Sequence, residues 1–237
     1  MMRFDIVSLF PAIGKAVLSE SIIGRAQRRG LVHIRHIDLR DYADDERRTV
    51  DDSPFGGGAG MLLKADVIFR CIEDLRRQGA ARTVLMCPQG RRFNQGIASE
   101  YAGYGHVIMF CGHYEGLDER ARQVLFDDEL SLGDFILTNG VGAAAVMADA
   151  IIRLLPGVLG KDESSEDESF GREPLLEYPH FTRPALFQGM AAPARLLSGD
   201  HGVVEHWRRE QRIIRTAARR PDLLAQVFCA GPGGVAR

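Results

Sequence analysis

The sequence has 237 residues, 45% hydrophobic and 26% charged, enough for one large domain or two modest ones with an ordinary buried core. No window approaches eighteen consecutive apolar residues, which argues against a membrane span, and the first residues lack the pattern of a secretion signal. The net charge of −2 gives no support to nucleic-acid binding by itself. However, 27 of the 30 basic residues are arginine, which suits phosphates and bases, although genomic base composition explains such a bias equally well.

Common catalytic and metal-binding signatures are absent from the sequence. Four cysteines (Cys71, Cys87, Cys111 and Cys229) are scattered without a CxxC pair, so neither a zinc site nor a disulfide scaffold is predicted. There is no P-loop, no GxGxxG after a strand, no GxSxG and no HExxH. We therefore expect a cytoplasmic protein with reduced thiols that belongs to none of the large hydrolase, metalloenzyme or dinucleotide-binding classes.

The first part of the chain alternates predicted strands and helices. An apolar run over 3–9 predicts a first strand, and residues 12–29 carry apolar side chains at near-helical spacing. Residues 31–37 alternate as a second strand. A polar loop over 40–60 and a helix over 64–78 follow.

The same alternation continues to residue 155. Strands are predicted over 83–87, 106–111 and 127–131. The intervening helices are predicted over 93–102, 117–124 and 141–155, and PG at 156–157 stops the last one. Strands that alternate with helices are typical of an α/β fold with a largely parallel sheet.

The remainder of the chain has a different character. Residues 161–168 contain five acids and no apolar side chain, which predicts a mobile linker, and two helices follow over 200–218 and 220–228. In the first helix one stripe is basic (Arg208, Arg212, Arg215, Arg219) and a neighbouring stripe is mainly apolar (Val203, Trp207, Ile214, Ala218). We expect the apolar stripe to pack and the arginine stripe to face phosphate or simply water.

Glycine-rich turns follow three of the predicted strands, at PQG 88–90, CGHYEG 111–116 and LGDF 132–135. Ligands bind outside the carboxyl ends of parallel strands, and glycine lets a flat ligand approach the backbone closely. Each turn alone is more simply a tight loop, but three at one edge indicate a ligand site. A fourth cluster at 48–61, with Asp51, four glycines and one alanine, suits recognition of a base edge; the alternative is a disordered loop.

Nine segments occur in the order that characterises one enzyme family. The chain resembles the bacterial tRNA (guanine-37-N1)-methyltransferases of the SPOUT superfamily, over nearly all of its length to about residue 225. The segments are SLFP 8–11, RTVDDSPFGGGAGM 48–61, PQGR 88–91, CGHYEGLDER 111–120, LGDFIL 132–137, LPGVLG 155–160, ESF 168–170, LLEYPHFTRP 175–184 and LLSGDH 196–201.

The resemblance implies an α/β fold and a particular domain organisation. A SPOUT-type parallel-sheet domain over 1–160 would contain a trefoil knot at about 84–143. A flexible acidic linker over 161–172 would lead to a small helical tRNA-binding domain over 173–237. The resemblance also implies a homodimer, S-adenosyl-L-methionine as cofactor and tRNA with guanine at position 37 as partner; magnesium is expected from the family alone.

The resemblance also assigns binding residues. Those that would hold the cofactor are Met86, Cys87, Pro88, Gly90, Gly112, Glu115, Leu132, Gly133, Asp134, Phe135, Ile136, Leu137 and Gly140. Those that would contact the RNA are Asp51, Gly58, Gly60, Glu177, His180, Arg183, Arg208, Arg212 and Arg215. For His180 and Arg183 a packed structural turn is an equally good interpretation.

The chemistry of the implied reaction asks for a base and a cation. Guanine N1 carries a proton, and negative charge spreads onto O6 as that proton leaves. By resemblance Arg153 would stabilise the oxyanion, and Glu168 would be the base, with Asp167 in reserve. The family usually has aspartate at position 168 and glutamate at position 141, where this chain has Val141.

Three other functions stay open at this point. The first is a SPOUT enzyme that modifies another RNA position, against which the segments at 48–61 and 179–184 argue. The second is an RNA-binding homologue with weakened catalysis, suggested by Glu168 and Val141 and opposed by Arg153. Without the resemblance, the sequence would indicate an α/β enzyme that acts on a small molecule.

Overall fold

The computed structural model describes residues 1–160 and 168–229, and the chain divides into two units, Met1–Gly160 and Lys161–Arg237. In the first unit the strands are β1 (Met2–Ser8), β2 (Val32–Asp38), β3 (Asp51–Asp52), β4 (Leu62–Leu63), β5 (Arg82–Arg92), β6 (His106–Cys111) and β7 (Asp128–Ser131). Its helices are α1 (Pro11–Leu18), α2 (Ser21–Arg28), α3 (Ala65–Arg77), α4 (Gln95–Ala102), α5 (Glu119–Leu125) and α6 (Val141–Ile152).

Five parallel strands form the central sheet in the order β2-β1-β6-β5-β7. This confirms the prediction of a mixed α/β fold with a parallel sheet. Because all five strands run the same way, their carboxyl ends meet at one edge, where a ligand is expected. The short strands β3 and β4 pair separately as an antiparallel ladder.

The sheet has an apolar core on each face, as expected when helices cover both sides. Alternate residues of β1 point in opposite directions, so Phe4 and Ile6 join one cluster and Val7 joins the other. Helices α2, α4 and α6 cover the first face, and α3 and α5 cover the second. Continuous apolar strands are therefore buried on both faces, and their positions were predictable from their composition.

The predicted helix over 12–29 is wrong in one respect, because the structure has two helices there. The chain leaves α1 at Leu18 and begins α2 at Ser21, whose φ is +53°. A Cβ on Gly24 would lie 2.1 Å from the Ser19 carbonyl oxygen, so only glycine lets α2 pack this close to the break. The apolar spacing continues across the break, which is why periodicity alone joined the two helices.

The predicted strand over 83–87 is longer than expected. Strand β5 continues through PQG to Arg92, with a shift in its pairing to β7 between Met86 and Arg91. The PQG segment is therefore a bulge inside a strand rather than a turn that ends it. This bulge moves the backbone at 87–89 away from regular pairing, at the edge where a ligand is expected.

The second unit is only partly helical. Its elements are β8 (Leu186–Phe187), β9 (Met190–Ala191), α7 (His201–Arg219) and α8 (Pro221–Cys229). The two predicted helices are thus present, and Asp200 caps α7 by accepting hydrogen bonds from two amides of its first turn. Residues 168–200 are mostly irregular, so the expectation of a mostly helical region holds from His201 onward. Of the predicted linker, residues 161–167 lie outside the described residues.

Within the part of the chain that the structure describes, no helix combines the length and the apolar character needed to cross a bilayer.

Candidate active site

A cavity of about 580 Å³ opens at the carboxyl ends of β5, β6 and β7. Its walls come from residues 85–89 of β5, the loop at 112–117 and the segment at 130–140. Two of these segments follow strands and one lies within a strand, so the parallel sheet brings them to the same edge. The volume is within the usual range for a small-molecule site, roughly 300–1,000 Å³.

Most of the residues predicted to bind a cofactor line this cavity. They are Met86, Cys87, Pro88, Gly112, Glu115, Leu132, Gly133, Phe135, Ile136, Leu137 and Gly140. Gly90 and Asp134 do not line it. A Cβ on Gly90 would lie 2.4 Å from the carbonyl carbon of Glu129, so this glycine is needed for packing against β7. The Asp134 carboxylate is exposed and pairs with Arg92 at 2.6 Å.

Glycines shape the floor of the cavity. The Gly140 amide donates to the Gly112 carbonyl at 3.0 Å, which ties the segment after β7 to the end of β6. A Cβ on Gly140 would lie 3.0 Å from the Cys111 Cα and 3.1 Å from the Met86 Cβ. A Cβ on Gly112 would meet no described atom within 4 Å. Gly140 is therefore required for close packing, whereas Gly112 leaves open space in the cavity.

Arg122 is a cavity residue that the sequence reasoning missed. Its side chain is only 17% exposed, and its guanidinium donates to the Cys87 Sγ at 2.6 Å and to the Gln89 Oε1 at 3.0 Å. It also pairs with the Glu129 carboxylate at 3.1 Å. Burial raises the pKa of the Cys87 thiol, although the Gln89 amide and the Arg122 guanidinium oppose the shift. The protonated thiol is thus one anchor of the bulge.

A sequence signal for Arg122 existed. It lies three residues before the buried Leu125 on α5, directly after the CGHYEGLDER segment, so its stem had to run along the packed face of that helix. Further cavity residues lie within or next to the glycine-rich segments and were not predicted individually. They are Gln89, His113, Tyr114, Thr138 and Asn139. Contiguity with the chosen glycines would have identified them.

The glycine-rich cluster at 48–61 is tied to the cavity. The Glu115 amide donates to the Met61 carbonyl at 3.1 Å, and a Cβ on Gly60 would lie 2.3 Å from the Glu115 Cγ. Asp51 pairs with Leu63 in the β3-β4 ladder, and Gly58 is exposed with a φ of +124°. The loop that carries Gly58 and Gly60 is therefore ordered against a wall of the cavity.

Of the predicted catalytic residues, Arg153 belongs to the first unit and does not line the cavity. Arg153 is the half-buried C-terminal cap of α6, and its amide donates to the Asp149 carbonyl at 3.1 Å. Glu168 is half-buried in the second unit, where its carbonyl accepts from the Gly171 amide at 3.1 Å. Asp167 lies outside the described residues.

At position 141, where the resemblance leads us to expect glutamate, the chain has a residue of the core. Val141 is 2% exposed and belongs to the core, and it is not a residue of the cavity wall. The Asn139 side chain accepts from the Val141 amide at 3.0 Å and so caps the first turn of α6. The start of α6 is therefore held by a backbone contact to Asn139, next to the contact of Gly140 with Gly112.

In the second unit, Glu177, Tyr178 and His180 form one cluster. The His180 Nε2 lies 2.8 Å from the Glu177 Oε1, and its ring centroid lies 4.8 Å from that of Tyr178. The Arg208 guanidinium lies 4.8 Å from the Tyr178 ring centroid on the α7 side. Arg183 is exposed. The predicted RNA-contact residues of this segment thus present a histidine and an arginine at the surface.

The prediction that the arginine stripe of α7 faces solvent holds for Arg219, which is exposed, and is wrong for Arg212. Arg212 is 8% exposed and Arg208 and Arg215 are half-buried, whereas Val203 and Ile214 of the supposed packing stripe are 39% and 52% exposed. The helix packs through Trp207, Arg212 and Thr216. The Thr216 hydroxyl donates to the Arg212 carbonyl and accepts from the Leu176 amide, so the 170–178 segment covers this face. Long arginine stems can be buried in this way.

The comparisons with known proteins identify one family. A family model described as tRNA (Guanine-1)-methyltransferase TrmD matches residues 2–226. A curated tRNA (guanine-N(1)-)-methyltransferase of Geobacillus kaustophilus is 52% identical, over 94% of this chain and 91% of the relative. Proteins of the same name from Chloroflexus aggregans (50% identical, over 97% of this chain and 90% of the relative) and Bacillus subtilis (48%, 94% and 92%) are also similar.

Proposed function

Since the chain belongs to the tRNA (guanine-1)-methyltransferase TrmD family, we propose that its cavity holds S-adenosyl-L-methionine, from which the protein methylates N1 of guanine 37 in tRNA, next to the anticodon. The observation that carries the assignment is that residues of three family segments, within 86–89, 112–116 and 132–140, come together around this cavity. A small-molecule site built from those segments is what a cofactor-dependent RNA methyltransferase requires.

The residues present fit the cofactor. Met86, Leu132 and Leu137 supply apolar walls for a flat adenine ring, and Gly112 leaves open space beside them. The His113 Nδ1 is a buried polar atom with no described hydrogen-bond partner. Glu115 brings a carboxylate to the wall, which suits a ligand that carries positive charge. When bound, the cofactor supplies an activated methyl group on a sulfonium, so the chain has mainly to position the acceptor base.

The acceptor base needs two groups of this chain. A carboxylate within hydrogen-bond reach of guanine N1 removes its proton, and Glu168 takes that role, with Asp167 as the second candidate. A guanidinium near O6 stabilises the negative charge that develops there, and Arg153 takes that role. Glu177, Gly58 and Gly60 hold the base edge, and the second unit grips the anticodon branch of the tRNA.

A homodimer completes the site in this proposal. Arg153 is absent from the cavity lining, which leaves room for a contribution from a second copy. Helices α1 and α6 pack against each other and expose Ile13, Val17 and Val146, at 43%, 60% and 55%. An exposed apolar face of this kind supports an isologous contact with a second copy.

The trefoil knot expected over about 84–143 also belongs to the proposal. Strand β5 lies between β6 and β7, so the segment after β7 has to cross the end of β5 to reach Gly112. The close approach of Gly140 to Met86 and Cys111 supports such a crossing. Threading of this segment through the loop before it would make the cavity part of the knot.

Further family expectations stay proposals. The linker would span 161–172 and the tRNA-binding domain 173–237, and a tRNA substrate implies action in the cytoplasm. Within 1–160 and 168–229 no group of three or more His, Cys, Asp or Glu is placed to hold a metal ion. Magnesium stays an expectation from the family alone.

One assay tests the function. Purified protein, methyl-labelled S-adenosyl-L-methionine and unmodified tRNA with guanine 37 should yield 1-methylguanosine at that position. A tRNA with adenine at position 37 is the matched control and should stay unlabelled. Methyl transfer to another RNA position would favour a different SPOUT substrate, and cofactor binding without any transfer would favour the catalytically weakened RNA-binding homologue.

A second experiment tests the base. The Glu168→Gln variant keeps the shape of the side chain and removes the proton acceptor, so kcat should fall at least a hundredfold while cofactor affinity stays unchanged. Near full turnover of Glu168→Gln together with loss of turnover in Asp167→Asn would transfer the role to Asp167.

A further inference from the structure

The tip of the glycine-rich loop carries an unusually exposed aromatic side chain. Phe55 is 99% exposed, the highest value among the large apolar side chains described. It occupies the second position of a turn in which the Gly57 amide donates to the Pro54 carbonyl at 3.3 Å. Gly56 has a φ of +85°, as the third position of a type II turn requires. The ring is therefore held out in water by a hydrogen-bonded turn.

Both ends of this loop are fixed. On the N-terminal side Asp52 pairs with Leu62, and its carboxylate accepts from the Ser53 amide at 2.7 Å. On the C-terminal side Met61 accepts from the amide of Glu115, a residue of the cavity wall. The loop that carries Phe55 is thus fixed at both ends, and one end is attached to the cavity wall.

We infer that Phe55 is a stacking platform for the nucleotide that flanks the target guanine. The inference rests on the proposed function and names the RNA element that this loop reads. Aromatic rings bind unpaired bases through their faces and tolerate any base identity. Guanine 37 has to enter the cavity beside the anchored loop, so the neighbouring nucleotide of the anticodon loop passes the exposed ring.

The charges around the turn favour a base over the RNA backbone as the partner. Asp51 and Asp52 directly precede the turn, and their carboxylates repel phosphates. The next residues, 53–60, carry no basic side chain. A phenyl ring at the end of an acidic ladder therefore offers stacking without phosphate attraction. Binding through Phe55 should consequently depend little on salt.

Three variants at this position separate stacking from bulk. Phe55→Ala removes the ring, Phe55→Leu keeps apolar volume without a flat face, and Phe55→Trp keeps the face. Phe55→Ala and Phe55→Leu should raise the KM for tRNA roughly tenfold, whereas Phe55→Trp should stay near wild type. Cofactor affinity and Tm should be unchanged in all three, because the side chain lies outside the cavity and the core.

A tRNA with an abasic residue identifies which nucleobase stacks on Phe55. A tRNA with an abasic residue on one side of guanine 37 should raise the wild-type KM as much as Phe55→Ala does with intact tRNA. The same abasic tRNA should not raise the KM of the Phe55→Ala variant any further, since each change removes the same contact. An abasic residue on the other side should act independently of Phe55.

Distinct outcomes overturn the two levels of the proposal. If wild type methylates guanine 37 and Phe55→Ala has the same KM for tRNA, the stacking role is wrong and the function stands. The stacking role is also wrong if both abasic RNAs act additively with Phe55→Ala. If wild type binds the cofactor and transfers no methyl group to this tRNA, the proposed function fails, and the stacking role fails with it.

Discussion

At the scale of single residues, Arg122 shows how one buried guanidinium can set the shape of a ligand wall. The bulge at 87–89 has left regular pairing with β7, so side-chain contacts have to hold it in place. Arg122 supplies two of them, to Cys87 and Gln89, and Glu129 balances its charge. A wall held in this way is preorganised for its ligand, and less ordering remains to be done on binding.

Removal of this guanidinium should therefore weaken cofactor binding. We expect Arg122→Ala to raise the KM for S-adenosyl-L-methionine about tenfold, the size of a lost charged hydrogen bond, with kcat within about twofold of wild type. Steady-state kinetics at saturating tRNA would measure both constants. Arg122→Lys should recover part of the affinity, because an amine can still donate to one of the two acceptors.

Arg120 offers a matched control on the same helix. Its side chain is 73% exposed and pairs with Asp118 rather than with the bulge. Arg120→Ala should leave the KM values for S-adenosyl-L-methionine and for tRNA close to wild type, since exposed ion pairs contribute little. An Arg122→Ala protein whose kcat and Tm fall together with its affinity would indicate general loss of structure instead of a positioning role.

The sequence predicted the roles of single residues where the ligand restricts the residue type. It did not predict which side of a helix packs against the rest of the protein. The glycines that line the cavity were found because a backbone that approaches a ligand leaves few alternatives to glycine. The orientation of α7 was assigned wrongly because the positions of Arg212 and Trp207 are both compatible with an amphipathic helix. A rotation of about a third of a turn exchanges the packed and exposed stripes, and arginine stems tolerate either environment.

At the scale of elements, β5 and β7 depend on a glycine that the ligand does not need. Gly90 lies where the bulged strand returns to β7, and its Cα faces the Glu129–Leu130 peptide. The approach leaves no space for a side chain, and the neighbouring atoms are backbone atoms that cannot rotate away. The sequence motif PQG is thus explained by strand packing as much as by the cavity.

A methyl group at this position should destabilise the first unit. We expect Gly90→Ala to lower the free energy of unfolding by about 1–3 kcal/mol, since a Cβ would lie 2.4 Å from the Leu130 nitrogen. Urea denaturation followed by circular dichroism would measure the change. Gly105→Ala is the control, because a Cβ there meets nothing within 4 Å and should leave stability unaltered. Equal stability of both variants would contradict the packing role.

Most strands and helices could be predicted from apolar runs and periodicity, whereas two junctions could not. The break between α1 and α2 depends on the positive φ of Ser21, a conformation that serine adopts only when tertiary packing compensates its cost. The bulge in β5 depends on pairing with β7, a partner some forty residues away in sequence. Neither feature leaves a local signature.

At the scale of the whole molecule, the alternation of strands and helices predicted the parallel sheet. It did not predict how the strands are ordered and connected. Periodicity predicts single strands and helices but not the order of the strands in the sheet. A crossing such as the proposed knot is not predicted either, because topological rules favour unknotted chains. The family segments supplied those expectations. The exposed apolar face of α1 and α6 is a consequence of folding that the sequence alone did not single out.

Mixed dimers would test whether two copies build one site. Gly112→Leu should block the cofactor, since Gly112 lines the cavity and a Cβ there would meet no described atom within 4 Å. Glu168→Gln should block the base, so each variant alone should be inactive. If the base comes from the second copy, a mixed dimer has one site with both defects and one with neither, and a refolded equal mixture should recover about a quarter of wild-type activity. The two variants mixed without subunit exchange are the control, and an exchanged mixture that stays inactive would show that each copy supplies its own base.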